Sequence, residues 1–175
     1  DEKKIDEDKN NDDEPVRNYT TNIGSNENKN DLNDYAVLLM HLYGKNNNVP
    51  KFFDKLLRSK DDLIRLNTTI LLLRNNKPVA DSIINWFAQK DKWRGKLYSK
   101  LEQIKKLDRF PARYKTQLDM ATSYLLADKD YSKVDSIIYV SKQLSAYRDK
   151  KGFVYFFKYR VKKGDDWKIG LSGLQ

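Results

Sequence analysis

Apolar side chains recur with two different periods along this chain, and the change of period near residue 131 limits what it can fold into. Between residues 35 and 130 the spacing is three or four residues, which is the period of one face of an α-helix. After residue 131 the spacing falls to two, the period of one face of a β-strand. We therefore predict an α+β chain in which helices come first and a small antiparallel sheet follows.

The helical part is predicted to contain five or six short helices joined by turns of a few residues. Tyr35–Tyr43 is dense in apolar residues and ends near Gly44, which is a good C-terminal signal. Asp61 and Asp62 place negative charge at the start of a helix, where the macrodipole favours it. Lys92–Lys106 is the clearest amphipathic segment, with apolar and basic residues on different sides. Short connections between such helices favour antiparallel helical hairpins.

The predicted hairpins are also repeated at a similar length. One helix is predicted over Val79–Gln89 and another over Pro111–Ala127. The units Asp61–Gln89 and Asp91–Asp128 are each about as long as one helical repeat. Over about residues 50–128 the chain therefore resembles α-solenoid proteins of the tetratricopeptide or HEAT type. This resemblance implies stacked hairpins that act as a scaffold.

Three strands are predicted in the C-terminal part. Ser136–Val140 is rich in β-branched and aromatic residues, Phe153–Val161 alternates, and Trp167–Leu171 alternates again. Lys150–Gly152 and Gly164–Asp166 supply turn residues between them. The sequence therefore predicts a three-stranded antiparallel β-meander whose apolar face covers the last helices.

Charge divides the chain into an acidic leader and a basic body. Residues 1–34 hold eleven acidic and five basic side chains and almost no large apolar ones, so we predict a disordered acidic linker or tail. The alternative is a strap over Val16–Ile23 that docks on the body. The body carries 29 basic and 14 acidic side chains. It is divided into a helical-hairpin region, 35–130, and a β-meander, 131–175, packed on the last helices.

Groups that usually carry catalysis or bind metals are scarce. The chain has no cysteine, which excludes disulfides and thiolate chemistry. Its one histidine, His41, is predicted to be an ordinary helix residue rather than a general base. The carboxylate pairs Asp61–Asp62 and Asp165–Asp166 suit a helix start and a hairpin turn, and no glycine-rich phosphate loop is present. We therefore predict a chain that is not an enzyme and holds no cofactor or metal, unless a longer protein carries an active site elsewhere.

A basic ridge on the amphipathic helix is the first candidate binding surface. Arg94, Lys96 and Lys100 lie in a segment that interleaves bases with aromatic residues, and such a ridge binds phosphates or an acidic partner. The alternative is a solvated helix face whose lysine stems cover apolar surface. We prefer the alternative because the chain has 25 lysines against 9 arginines, whereas arginine makes the bidentate phosphate contacts.

The outer face of the predicted sheet is the second candidate. If Phe153, Tyr155, Phe157 and Tyr159 pack inward, then alternation turns the intervening residues outward. The residues proposed for this outer face are aromatic or basic: Phe156, Lys158, Arg160 and Lys168. Such a face can stack bases or hold sugars, but an exposed apolar patch more often marks an interface with another domain.

We predict a non-enzymatic scaffold or protein-interaction module within a larger bacterial protein. The expected partner is another protein or another domain of the same full-length chain. The alternative is binding of nucleic acid or another polyanion through the basic helix at residues 91–106. No apolar run approaches the roughly 20 residues that cross a bilayer. The leader resembles the spacer after a lipoprotein signal, and the aromatic C-terminal hairpin resembles the ends of large bacterial envelope proteins, which favours the envelope or secretion over the cytoplasm.

Overall fold

Helices precede a three-stranded antiparallel sheet, so the predicted α+β class is confirmed. The computed structural model describes residues 26–127, 133–147 and 150–173. This part of the chain contains six α-helices: α1 (Asn26–Met40), α2 (Asn48–Leu57), α3 (Asp62–Arg74), α4 (Asp81–Gln89), α5 (Asp91–Gln103) and α6 (Gln117–Ala127). Two 3₁₀ helices, Leu107–Arg109 and Ala112–Tyr114, connect α5 to α6.

Helices α1 to α5 share one hydrophobic core. Each helix packs on its neighbour in sequence, and α3 also contacts both α1 and α5. The periodic apolar residues of these helices supply the interior, as the 3.6-residue spacing requires. Its most deeply buried large side chains are Phe53, Leu66, Leu72, Ile84, Phe87, Leu97 and Leu101.

Helix α3 begins where the acidic pair Asp61–Asp62 predicted a helix start. The Asp61 carboxylate accepts hydrogen bonds from the backbone N–H groups of Leu63, at 2.9 Å, and Ile64, at 3.2 Å. These donors have no partner within the helix, so the cap supplies one. Asp62 adds a negative charge in the first turn.

The first helix begins earlier than predicted. Residues 26–34 were assigned to the acidic tail, but they form the first turns of α1. The physical reason is that Leu32 continues the apolar stripe of Ala36 and Met40 and packs against the same core. The rest of the predicted tail, including the strap over Val16–Ile23, lies outside the described residues, as does the predicted boundary between residues 130 and 131.

The last helix begins later than predicted. Pro111 is followed by a 3₁₀ turn rather than by α-helix, and α6 starts only after Thr116. The Thr116 hydroxyl accepts from the backbone N–H of Asp119 at 3.1 Å and donates to its carboxylate at 2.6 Å. Thr116 thus acts as the N-cap of α6, because its hydroxyl supplies a partner for the free backbone N–H of Asp119.

The sheet consists of β1 (Ser136–Tyr147), β2 (Lys150–Arg160) and β3 (Lys168–Gly173) in the order β1-β2-β3. Both pairings are antiparallel, so the predicted meander is confirmed. Gly164 lies in the second turn with a φ of +99°, a conformation that glycine adopts without strain. The backbone N–H of Lys162 donates to the Asp165 carboxylate at 3.1 Å in the same turn, as predicted for this acidic pair.

The first two strands are longer than predicted. Lys150–Gly152 was predicted as a turn, but it is part of β2 and pairs with the end of β1. Residues 148–149, between the two strands, lie outside the described residues. Backbone pairing extends the hairpin past the apolar residues because a ladder of N–H and C=O groups does not need apolar side chains to continue.

One face of the sheet packs on α6 and forms a second core from Ala121, Leu125, Tyr155 and Phe157. Gly170 permits the close approach, because a Cβ atom there would lie 3.1 Å from a Leu125 methyl group. The Tyr155 hydroxyl donates to the Gln117 side chain at 3.1 Å. Burial raises the pKa of Tyr155, with a smaller contribution from Tyr139, so the phenol stays neutral and keeps the proton that it donates.

Candidate interaction surface

The pairing register determines which side chains share the face of the sheet that points away from α6. Directly opposed residues on antiparallel strands point to the same side. Lys158 on β2 lies opposite Ile138 on β1 and Ile169 on β3, and Phe156 lies opposite Leu171. These five residues therefore form one patch across three strands. We call it the outer sheet face.

The outer sheet face is apolar and open to solvent. Ile138 is 51% exposed, Ile169 59% and Leu171 56%. The residues that alternate with them, such as Phe157 and Gly170, are buried on the other side of the sheet. Neighbouring aliphatic side chains left in water at this level typically mark a surface that binds something else.

Arg160 and Trp167 close one end of this face. The Arg160 guanidinium carbon lies 5.0 Å from the centre of the Trp167 ring, which is within cation–π distance. Its Nε atom also lies 3.3 Å from Ser136 Oγ and 3.5 Å from the Asp135 carboxylate. The charge of Arg160 is therefore partly compensated within the chain, while exposed Lys158 is the basic group at the centre of the face.

Lys168 belongs to the opposite side of the sheet, so its assignment to the outer face was wrong. It pairs with Tyr159 of β2, whose side chain shares the side of Phe157. Ile169 and Leu171, which were not among the predicted residues of this face, take the outer positions instead. The strict alternation of β3 was a signal for these residues, but alternation alone does not say which set points outward.

Arg94 lies in the interior, so its assignment to a surface ridge was also wrong. Its side chain is 4% exposed and makes an ion pair with Asp91 at 2.7 Å. Its Nε donates to the carbonyl of Ala88 at 2.8 Å, and its Nη1 donates to the carbonyl of Asp119 at 2.9 Å. Arg94 thus connects the end of α4 and the start of α6 to α5, and it supplies a donor to the Ala88 carbonyl, which has none within the last turn of α4.

Lys96 and Lys100, the other two residues of the predicted basic ridge, lie near the surface of α5. Lys96 is exposed, and its ammonium nitrogen lies 5.1 Å from the centre of the half-buried Trp93 ring. Lys100 is itself half-buried. Long basic side chains that cover an aromatic ring in this way are typical of a solvated helix face.

Groups that could support catalysis do not converge in the part of the chain that the structure describes. His41 is exposed in the turn after α1. No group of three or more histidine, aspartate or glutamate side chains among the described residues is arranged to hold a metal ion. A groove of about 450 Å³ lies beside Trp86 and Trp93, but Asp62 and Asp91 in its wall are already paired with arginines. None of the described helices is long and apolar enough to cross a bilayer.

Comparisons with known protein families, curated proteins and solved structures found no match to this chain. Two surfaces of the described chain are therefore candidates for its function: the outer sheet face and the basic side of α5. The outer sheet face exposes apolar residues to water. On the basic helix, by contrast, Arg94 is buried and bonded to a backbone carbonyl, so it is not available to bind phosphate.

Proposed function

We propose that this chain is a non-enzymatic protein-interaction module whose outer sheet face binds another protein or another domain of the same full-length chain. One observation carries the proposal: Ile138, Ile169 and Leu171 are each more than half exposed and lie in adjacent rows of one sheet face. Patches of this kind are typical of binding surfaces. The helical body, which resembles α-solenoid scaffolds in the length of its units, would hold this face in place.

The expected energetics favour a partner with an apolar centre. Full burial of an aliphatic side chain contributes roughly 1.5–3 kcal/mol, so covering the exposed half of each of these three would contribute about 1 kcal/mol apiece. Phe156 and Trp167 add aromatic surface, and aromatic residues are enriched in the centre of interfaces. Lys158 lies between Ile138 and Ile169, which favours a partner with an acidic group opposite that point of its apolar surface.

Binding of nucleic acid or another polyanion is the alternative, and the contacts favour it less. Arg94 is engaged with backbone carbonyls and Asp91, and Arg160 lies beside Asp135. Specific recognition of phosphate usually depends on arginine with free donors. Lys96 and Lys100 would then provide only the non-specific, salt-sensitive attraction of lysines.

A crosslinking experiment tests the proposal. A photo-reactive side chain is placed at Ile169, and in a matched control at Lys60, an exposed residue between α2 and α3. In the cells that produce the protein, position 169 should form a covalent adduct with one discrete protein, and position 60 should not. The adduct partner is then purified and titrated with the unmodified chain.

The double variant Ile169→Ser, Leu171→Ser should weaken binding of that partner at least about tenfold, since a factor of ten corresponds to 1.4 kcal/mol. The double variant Lys96→Ser, Lys100→Ser should bind as the unmodified chain does. Loss of binding only in the lysine variant would support the polyanion reading instead. An unchanged affinity of the serine variant at 169 and 171 would refute the proposal.

A further inference from the structure

Helix α1 carries a second exposed apolar surface on the side away from the core. Ala36 and Met40 are buried against the helical body. In contrast, Tyr35 is 63% exposed, Leu38 65% and Leu42 44%. A helix that is apolar on both sides has one side with a partner in the core and one side without. The exposed side is therefore a candidate surface for packing against a partner.

The spacing of the exposed residues suits packing against another helix. Asp31, Tyr35, Leu38, Leu42 and Lys45 are exposed and follow one another at intervals of four, three, four and three residues. Asp31, Tyr35 and Leu38 lie within α1 and have the spacing of the seam along which two helices pack side by side. Leu42 and Lys45 follow the helix in a tight turn, in which the Lys45 N–H donates to the Leu42 carbonyl at 2.9 Å. The exposed stripe thus reaches from the body of α1 to the turn at its end.

Charge at the ends of this stripe selects the orientation of the second helix. Asp31 and Asp34 make its beginning acidic, and Lys45 makes its end basic. If two copies of α1 pack antiparallel about Leu38, the acidic start of the stripe in each copy lies beside the turn of the other copy that carries Lys45. A parallel arrangement would place Asp31 beside Asp31. The stripe is therefore complementary to itself in a two-fold, antiparallel pair.

We infer that the chain forms a symmetric dimer in which α1 packs antiparallel against α1 of a second copy. Leu38 lies on the two-fold axis and meets its own equivalent, and Tyr35 and Leu42 flank it. The net charge of +9 on each chain opposes association, but salt near 0.15 M screens it beyond about 8 Å. The dimer uses none of the residues of the outer sheet face, so the two interactions can be tested separately.

Sedimentation equilibrium of the full chain at about 0.15 M salt tests the inference. We expect a dimer that dissociates on dilution. The Leu38→Lys variant places like charges together on the axis and should remain a monomer at every concentration used. The matched control Ile169→Lys changes an equally exposed aliphatic residue on the sheet and should dimerise as the unmodified chain does. Thermal midpoints confirm that both variants are folded.

Charge reversal gives a readout that a purely structural role would not change. Asp31→Lys or Lys45→Glu alone should weaken the dimer roughly threefold to tenfold, because each creates two like-charged pairs across the axis. The double variant should recover the original affinity, since the reversed charges again face each other. A chain that is monomeric up to about 100 µM, a dimer insensitive to Leu38→Lys, or a double variant that stays as weak as the singles would overturn the inference.

Discussion

Replacing Arg94 with methionine is expected to lower the free energy of unfolding by about 1–3 kcal/mol, the usual cost of leaving a buried hydrogen-bonding group without its partner. The substitution leaves the carbonyl of Ala88 without its donor in the interior and removes the hydrogen bond to the carbonyl of Asp119. It also leaves the Asp91 carboxylate without the guanidinium that lies 2.7 Å away. Denaturant unfolding followed by circular dichroism gives the measurement.

Arg109→Met is the matched control for this prediction. Arg109 also makes a 2.7 Å ion pair, with Asp81, but its side chain is 33% exposed and that of Asp81 is 80% exposed. Exposed pairs contribute at most about 1 kcal/mol because water screens them, so this variant should be close to the unmodified chain in stability. Equal losses in the two variants would show that burial of Arg94 does not set its contribution.

Phe157→Ala is expected to cost about 3–5 kcal/mol, which is typical of truncating a buried phenylalanine. Phe157 is 1% exposed and lies in the small core between the sheet and α6, so its removal leaves a cavity at the centre of that contact. Because this core contains few residues, the loss should detach the sheet before the helical body unfolds. Near-ultraviolet dichroism of the aromatic residues in the sheet would report the earlier transition.

Leu171→Ala is the control, since it lies on the opposite side of the same sheet. More than half of its surface is already exposed, and a surface truncation of this kind usually changes stability by less than about 0.5 kcal/mol. A similar loss in the Phe157 and Leu171 variants would mean that both faces of the sheet are covered. That result would contradict the assignment of the outer sheet face.

Local sequence signals were sufficient for the order of helices and strands and for several of their ends. The change of apolar period separates α6 from β1, and Asp61 caps the helix that it was expected to begin. The α-helix start predicted at Pro111 was wrong, because proline suits the first turn of a 3₁₀ helix as well as that of an α-helix. The decisive signal was the Thr116–Asp119 capping pair a few residues later.

The candidate site was less accessible to sequence reasoning because it depends on contacts between distant residues. Arg94 donates to the carbonyl of Asp119, 25 residues further along the chain, and no residue of α5 indicates that partner. The side chosen by Lys168 depends on the register of β3 against β2, and a shift of one residue turns every side chain to the other face. For the same reason, the pairing of β3 with β2 was needed to place Ile169 and Leu171 on the outer sheet face.

Thiol labelling at a single introduced cysteine tests the proposed binding surface most directly. The chain has no cysteine of its own, so Ile169→Cys reports on the outer sheet face and Lys60→Cys on a control site. In the purified chain both positions should react with a soluble maleimide at similar rates. In intact cells or native extract, position 169 should react much more slowly because its partner covers it, while position 60 keeps its rate. A cysteine at 169 that reacts as fast in the extract as in the purified chain would contradict the proposed function.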